Sequence, residues 1–231
     1  MLLERTSYAR QAFDDDIRAL EHDLLDMGSR AEQMITLAVD ALCSLNVDLA
    51  MQVIHKDDEI DERDLQIETN CLRMLALQQP MAGDLRVVGT AMKMITDIER
   101  VGDLAVDIAK ITLKVEREFG ETTFIDIPKM TKEARGMFHQ ALQAFVHRDL
   151  NMVHQVIERD EIVDGLYRSL RTQIFANMRA NPELVVSDGW LILAIHHVER
   201  IADHAVNIAE RVNFMVTGQF KQLSRPETPT S

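Results

Sequence analysis

The chain has 231 residues, enough for one large or two small cores, and is built mostly from helix formers, with aromatic residues at 5%, Gly at 9 and Pro at 5. So little turn material disfavours strands and hairpins and favours long helices. A net charge of −13, with no basic run, argues against nucleic acid or an anionic lipid surface as partner, because both need a basic footprint.

The segment MLLERTSYARQAFDDD holds no apolar stretch long enough for a signal peptide, and the longest apolar run, Trp190 to Ile195, is far too short to span a bilayer. Cys43 and Cys71 lie far apart without a C-x-x-C and read as small core residues of a reduced compartment. The reading is of a soluble protein without membrane insertion.

Breakers divide the chain sparingly. Asp48 is placed to cap a helix running toward Gln78, which Pro80 ends, and Asp84 behind Gly83 is placed to cap the next, reaching about Glu118. Phe119 to Pro128 (FGETTFIDIP) reads as a linker. Helices are then expected over Lys129–His147 and Leu150–Ala180, and from Asn181-Pro182 to about Thr217. The tail GQFKQLSRPETPTS is expected to fray.

The halves repeat. MITDIERVGDLAVDIA (94–109) aligns without gaps on AIHHVERIADHAVNIA (194–209), with 8 of 15 positions identical from 95 to 109. VIHKDDEID (53–61) aligns more loosely on VIERDEIVD (156–164). Two matches in one order with near-equal offsets indicate internal duplication. Ile95, Ile98, Gly102, Ala105 and Ala109 step by three and four, as do Ile195, Val198, Ala202, Ala205 and Ala209, which marks a bundle seam. The fold class is therefore all-α: two tandem antiparallel three-helix bundles related by duplication, over residues 1–120 and 121–231, the second with a short tail.

Beside each seam lies a carboxylate pair, Glu99/Asp103 and Glu199/Asp203, whose spacing of four puts both acids on one helix face. The preceding helices offer Asp57/Asp61 and Asp160/Asp164, and Asp107 extends the first set where the second has Asn207. Like charges so spaced cost an isolated helix roughly 0.2–0.5 kcal/mol, and a cation between them reverses the sign. An oxygen donor set without Cys suits a hard or borderline divalent ion; Mg, Mn, Fe and Zn are the candidates. The competing reading is a plain ion-pair network, with Arg100 serving Asp97 and Asp103 and Arg200 serving Asp203, in a purely structural scaffold. His204, beside Asp203, is placed to orient a carboxylate, and Trp190 to anchor the last helix.

No H-E-x-x-H, G-x-x-x-x-G-K-[ST] or G-x-S-x-G occurs, nor the Glu-x-x-His that a carboxylate-bridged di-iron enzyme requires, so the chain reads as no enzyme.

Pro80-Met81-Ala82-Gly83-Asp84-Leu85-Arg86, Asp97-Ile98-Glu99-Arg100-Val101-Gly102-Asp103 and Glu199-Arg200-Ile201-Ala202-Asp203-His204-Ala205-Val206-Asn207-Ile208-Ala209 together resemble the PhoU family, accessory proteins of bacterial high-affinity phosphate transport. The resemblance implies a cytoplasmic, homodimeric negative regulator of phosphate uptake and of the phosphate-starvation response. It implies as partners the transporter's ATPase subunit and a phosphate-sensing histidine kinase. It also implies metal binding by E(D)-x-x-x-D motifs, which fall on Glu99/Asp103, Glu199/Asp203, Asp57/Asp61 and Asp160/Asp164. The first half departs from the family pattern in carrying Leu104 and Asp107 where the second carries His204 and Asn207.

Overall fold

The computed structural model describes residues 2–119, 126–220 and 223, with side chains over 10–117, 126–220 and 223. The expected linker at 119–128 and the tail lie largely outside the described residues. Among the described residues the chain forms α1 (Leu2–Ser44), α2 (Val47–Gln78), α3 (Gly83–Phe119), α4 (Ile127–His147), α5 (Leu150–Ala180) and α6 (Val185–Thr217), with a 3-10 turn at Pro182–Leu184 and no strand.

Local chemistry fixes the boundaries. Asn46, rather than Asp48, caps α2, its side-chain oxygen accepting from Leu49 N at 3.1 Å; Asp48 instead sits in the first turn, where a negative charge suits the helix dipole. Asp84 likewise lies inside the first turn of α3 and bonds Arg10 of α1. Asp126 caps α4 by accepting from Lys129 N at 3.2 Å, so that helix begins two residues before the expected Lys129, with Pro128 in the turn where no N–H partner is required. Asp149 caps α5 at 2.7 Å from Asn151 N. Gly218, at φ +72°, closes α6 in the left-handed conformation that glycine adopts at low cost, its N–H donating to Phe214 O at 2.8 Å.

α1, α2 and α3 pack on one another, and α4, α5 and α6 do the same. The two bundles are fused along their length: α1 also packs on α4 and α3 on α6, while α2 and α5 stay on the outside without touching each other. All ten seam positions are buried. Ile98 and Val198 are fully enclosed, a burial contributing about 2 kcal/mol each. Cys71 belongs to this core, and burial pushes its thiol up to about 12; Cys43 does not, because its place on α1 is exposed, contrary to the sequence expectation.

α3 and α6 run antiparallel. Asp97 meets His204 and Asn207, whereas Lys114, farther along α3, stacks over Trp190, earlier on α6, at 4.2 Å from the ring centre. The pairing places the repeated motifs back to back at the centre of the molecule, each facing its own second helix.

Candidate functional site

In the first half α2 crosses α3 closely at Gly102. A Cβ there would lie 3.5 Å from Ile60 Cγ2 and 3.8 Å from Asp57 Oδ1, so the Asp57 carboxylate rests beside the glycine backbone. The antiparallel crossing brings Asp57 toward Asp103 and Asp61 toward Glu99. Burial, then the Asp61 and Asp103 charges, raises the Asp57 pKa above the usual carboxylate range. Glu99 is raised by burial first and then by Asp103, with Asp61 contributing.

Basic side chains offset much of this repulsion. Arg100 Nη1 donates to Asp103 at 2.7 Å, and its Nε lies 3.4 Å from Glu99. Lys110 donates to Asp107 at 3.2 Å. The ion-pair reading of this half is thus realised, but with one exchange of partners: Arg100 takes Glu99 in place of Asp97.

The second half brings its four acids together in the same way. Burial, followed by Asp164, Asp203 and Glu199, raises Asp160 from 3.8 to about 6. The protein around Asp203, then Glu199, raises that group to about 6 as well, although the side chain keeps an exposed edge; His204 and Arg200 offset part of the rise. Among the described residues no Lys or Arg forms an ion pair with Asp160, Asp164 or Asp203, so Arg200 does not play the part that Arg100 plays. Glu199 pairs with His196 Nδ1 at 2.9 Å.

Eight of the nine predicted site residues therefore fall into two facing sets of four. Asp107 is held by Lys110 and stands close enough to His197 of α6 for its charge to be felt there. Among the described residues no three His, Cys, Asp or Glu side chains already close on a common point. The acids face one another as an open groove, and side-chain rotation is needed for several to reach one ion. The donor chemistry is all-oxygen and, among the described residues, free of Lys and Arg ion pairs in the second half, where only His196 holds Glu199, which fits a hard divalent cation; in the first half Arg100 and Lys110 compete for the oxygens of Glu99, Asp103 and Asp107.

One constellation escaped the sequence reading. His204 does orient a carboxylate, but that of Asp97 on α3, at 2.9 Å, not that of its neighbour Asp203. Asn207 Nδ2 donates to the same Asp97 oxygen at 3.4 Å. The available signal was positional: all three flank the seams of the repeated helices, the faces that meet when two copies pack.

A duplicated all-α chain whose fused three-helix bundles each carry an acidic groove on the second and third helices is a helical-bundle protein with a pair of acidic surfaces. The PhoU domain model matches residues 24–112 and 127–212, and the chain belongs to the PhoU family. The phosphate-specific transport system accessory protein PhoU homolog of Clostridium acetobutylicum is 34% identical, over 93% of this chain and 99% of that protein. The homolog of the same name in Rhizobium meliloti is 33% identical, over 96% and 94%. Among solved structures, PhoU from Pseudomonas aeruginosa superposes with a TM-score of 0.84 at 32% identity, over 90% of this chain and 100% of that one. The phosphate transport system regulatory protein PhoU from Streptococcus pneumoniae also gives 0.84, at 30% identity. These names describe accessory and regulatory proteins, and among the described residues no helix is long and apolar enough to cross a membrane.

Proposed function

We propose that the chain is a cytoplasmic negative regulator of phosphate uptake and of the phosphate-starvation response, an adaptor and not an enzyme. It would work as a homodimer between the ATPase subunit of the phosphate transporter and a sensor histidine kinase. Family membership supports the phosphate system as its setting, and the second-half groove supports a mechanism. Asp160, Asp164, Glu199 and Asp203 repel one another across α5 and α6, and among the described residues no Lys or Arg forms an ion pair with them, Arg200 only partly offsetting the charge at Asp203. A divalent ion held there supplies the missing positive charge and would tie the two helices together, stiffening the face a partner reads. The first-half residues Asp57, Asp61, Glu99, Asp103 and Asp107 form the weaker counterpart, since Arg100 and Lys110 already hold three of them.

A second reading is a scaffold without metal, and the Arg100 pairs favour it for the first half alone. Pulldown of the tagged chain from phosphate-replete cells tests the adaptor role. Recovery of the transporter ATPase is expected, and its consistent absence, alongside recovery of unrelated enzymes, overturns the reading.

A further inference from the structure

The α3–α6 seam is fastened differently at its two ends. The offset of 100 that relates the repeats pairs Asp97 with His197, Leu104 with His204 and Asp107 with Asn207. A symmetric duplication would therefore give two equivalent fastenings, one on either side of the central crossing. One exists: Asp97 accepts from His204 at 2.9 Å and from Asn207 at 3.4 Å, with the Asp97 and His204 side chains only 15% and 13% exposed. A shielded carboxylate with two donors is among the stronger polar contacts a helix seam can make.

The related positions at the other end are filled differently. Leu104, where His204 would have its mate, is apolar and 5% exposed, and offers no donor. Asp107 is drawn to Lys110 on its own helix at 3.2 Å. Among the described residues His197 Nδ1 is buried with no hydrogen-bond partner, as is Trp190 Nε1 two turns earlier on the same face of α6. What covers this end is Lys114 lying over the Trp190 ring, a contact with a flexible stem. Buried polar nitrogens left unpaired favour any opening that lets water reach them, because the desolvation cost is recovered on opening.

We propose that the seam is a one-ended hinge: the two bundles are latched at Asp97, His204 and Asn207 and part at the end marked by Asp107, His197 and Trp190. Opening there exposes a strip of α3 and α6 between the two acidic grooves while the latched end keeps the bundles in register. The hinge follows from the seam alone and needs no bound ion.

Hydrogen exchange followed by mass spectrometry on the intact chain, in EDTA, reads both ends in one experiment. Amides around 190–198 and 107–114 are expected to exchange about tenfold faster than those around 92–98 and 203–210, the difference one charge-assisted hydrogen bond makes. The triple variant Leu104→His/Asp107→Asn/His197→Asp writes the latched residues into the open end and is expected to erase the difference. His204→Ala with Asn207→Ala is expected to speed exchange at 92–98. Equal protection at both ends of the unsubstituted chain overturns the hinge whether or not a variant folds. Unchanged exchange in a folded triple variant overturns its chemical cause.

Discussion

Aligned residues build the two acidic grooves, yet among the described residues Lys and Arg ion pairs hold the acids in only one. In the first half Arg100 bonds Asp103 and approaches Glu99, and Lys110 bonds Asp107. In the second, Arg200 occupies the place of Arg100 without forming such a pair among the described residues, and Glu210 stands where Lys110 would be. A neighbour accounts for part of the contrast. His196 holds Glu199 at 2.9 Å, whereas position 96 is Thr and leaves Glu99 to Arg100. Duplication thus preserved the carboxylates while their counterions diverged. A repeat in sequence does not guarantee a repeat in electrostatics.

The comparison breaks or holds first on metal binding. Isothermal titration with Mn²⁺ is expected to show the tighter site weakened by at least about tenfold in Glu199→Ala/Asp203→Ala, because two hard ligands are removed from a set that no Lys or Arg ion pair holds among the described residues. Glu99→Ala/Asp103→Ala is expected to leave that site in place. Arg100→Gln sharpens the test from the other side: freeing Glu99 and Asp103 of their counterion should tighten the first-half site severalfold. If the Glu99/Asp103 variant loses the tighter site, or if Arg100→Gln binds no better than the parent chain, the counterion argument is wrong.

The same asymmetry predicts a dependence on pH. Asp160 and Asp203 sit at about 6 in the folded chain against 3.8 for an ordinary aspartate, so between those values the folded form holds protons that the unfolded form has released. Stability from these groups is therefore fully present below about 4 and is lost as pH rises through about 6. After allowance for their contact with solvent, the loss from pH 5 to pH 7 is about 1 kcal/mol, or roughly 2–4 °C in Tm for a chain of this size. Differential scanning calorimetry in EDTA should show the fall, and Asp160→Asn should reduce it relative to the parent chain. An identical slope in the two proteins would remove Asp160 from the account.

Much of this was legible before any coordinates. Seam residues such as Ile98 and Val198 declare their burial by spacing, and Glu99/Asp103 with Asp57/Asp61 declare a shared face, because helical geometry converts sequence distance into direction. The partner of Arg100 was not legible: Glu99, Asp97 and Asp103 are all within reach on one helix, and only the packing of α6, which claims Asp97 for His204, decides among them. The fusion of the bundles through α1·α4 and α3·α6 was hidden for a similar reason. The pattern shows that a face is apolar but not which other face covers it.

The smallest expected effect tests the halves at their closest approach. Gly102 in α3 and Ala202 in α6 occupy equivalent places against the second helix of each bundle. A glycine inside a helix costs about 0.5–1 kcal/mol relative to alanine, through the greater freedom it gives the unfolded chain. The added methyl of Gly102→Ala would meet Ile60 Cγ2 at 3.5 Å and Asp57 Oδ1 at 3.8 Å, both ordinary contacts. Gly102→Ala should therefore raise stability by about 0.5–1 kcal/mol in urea titration, while Ala202→Gly should lower it by a similar amount. The methyl also takes water from the Asp57 carboxylate, whose pKa burial already raises, so the gain should grow as pH is lowered from 7 and protonation removes that charge. A net loss throughout that titration would mean that α2 and α3 need the bare glycine for their spacing, and that Ala202 marks a real difference in how the two bundles close.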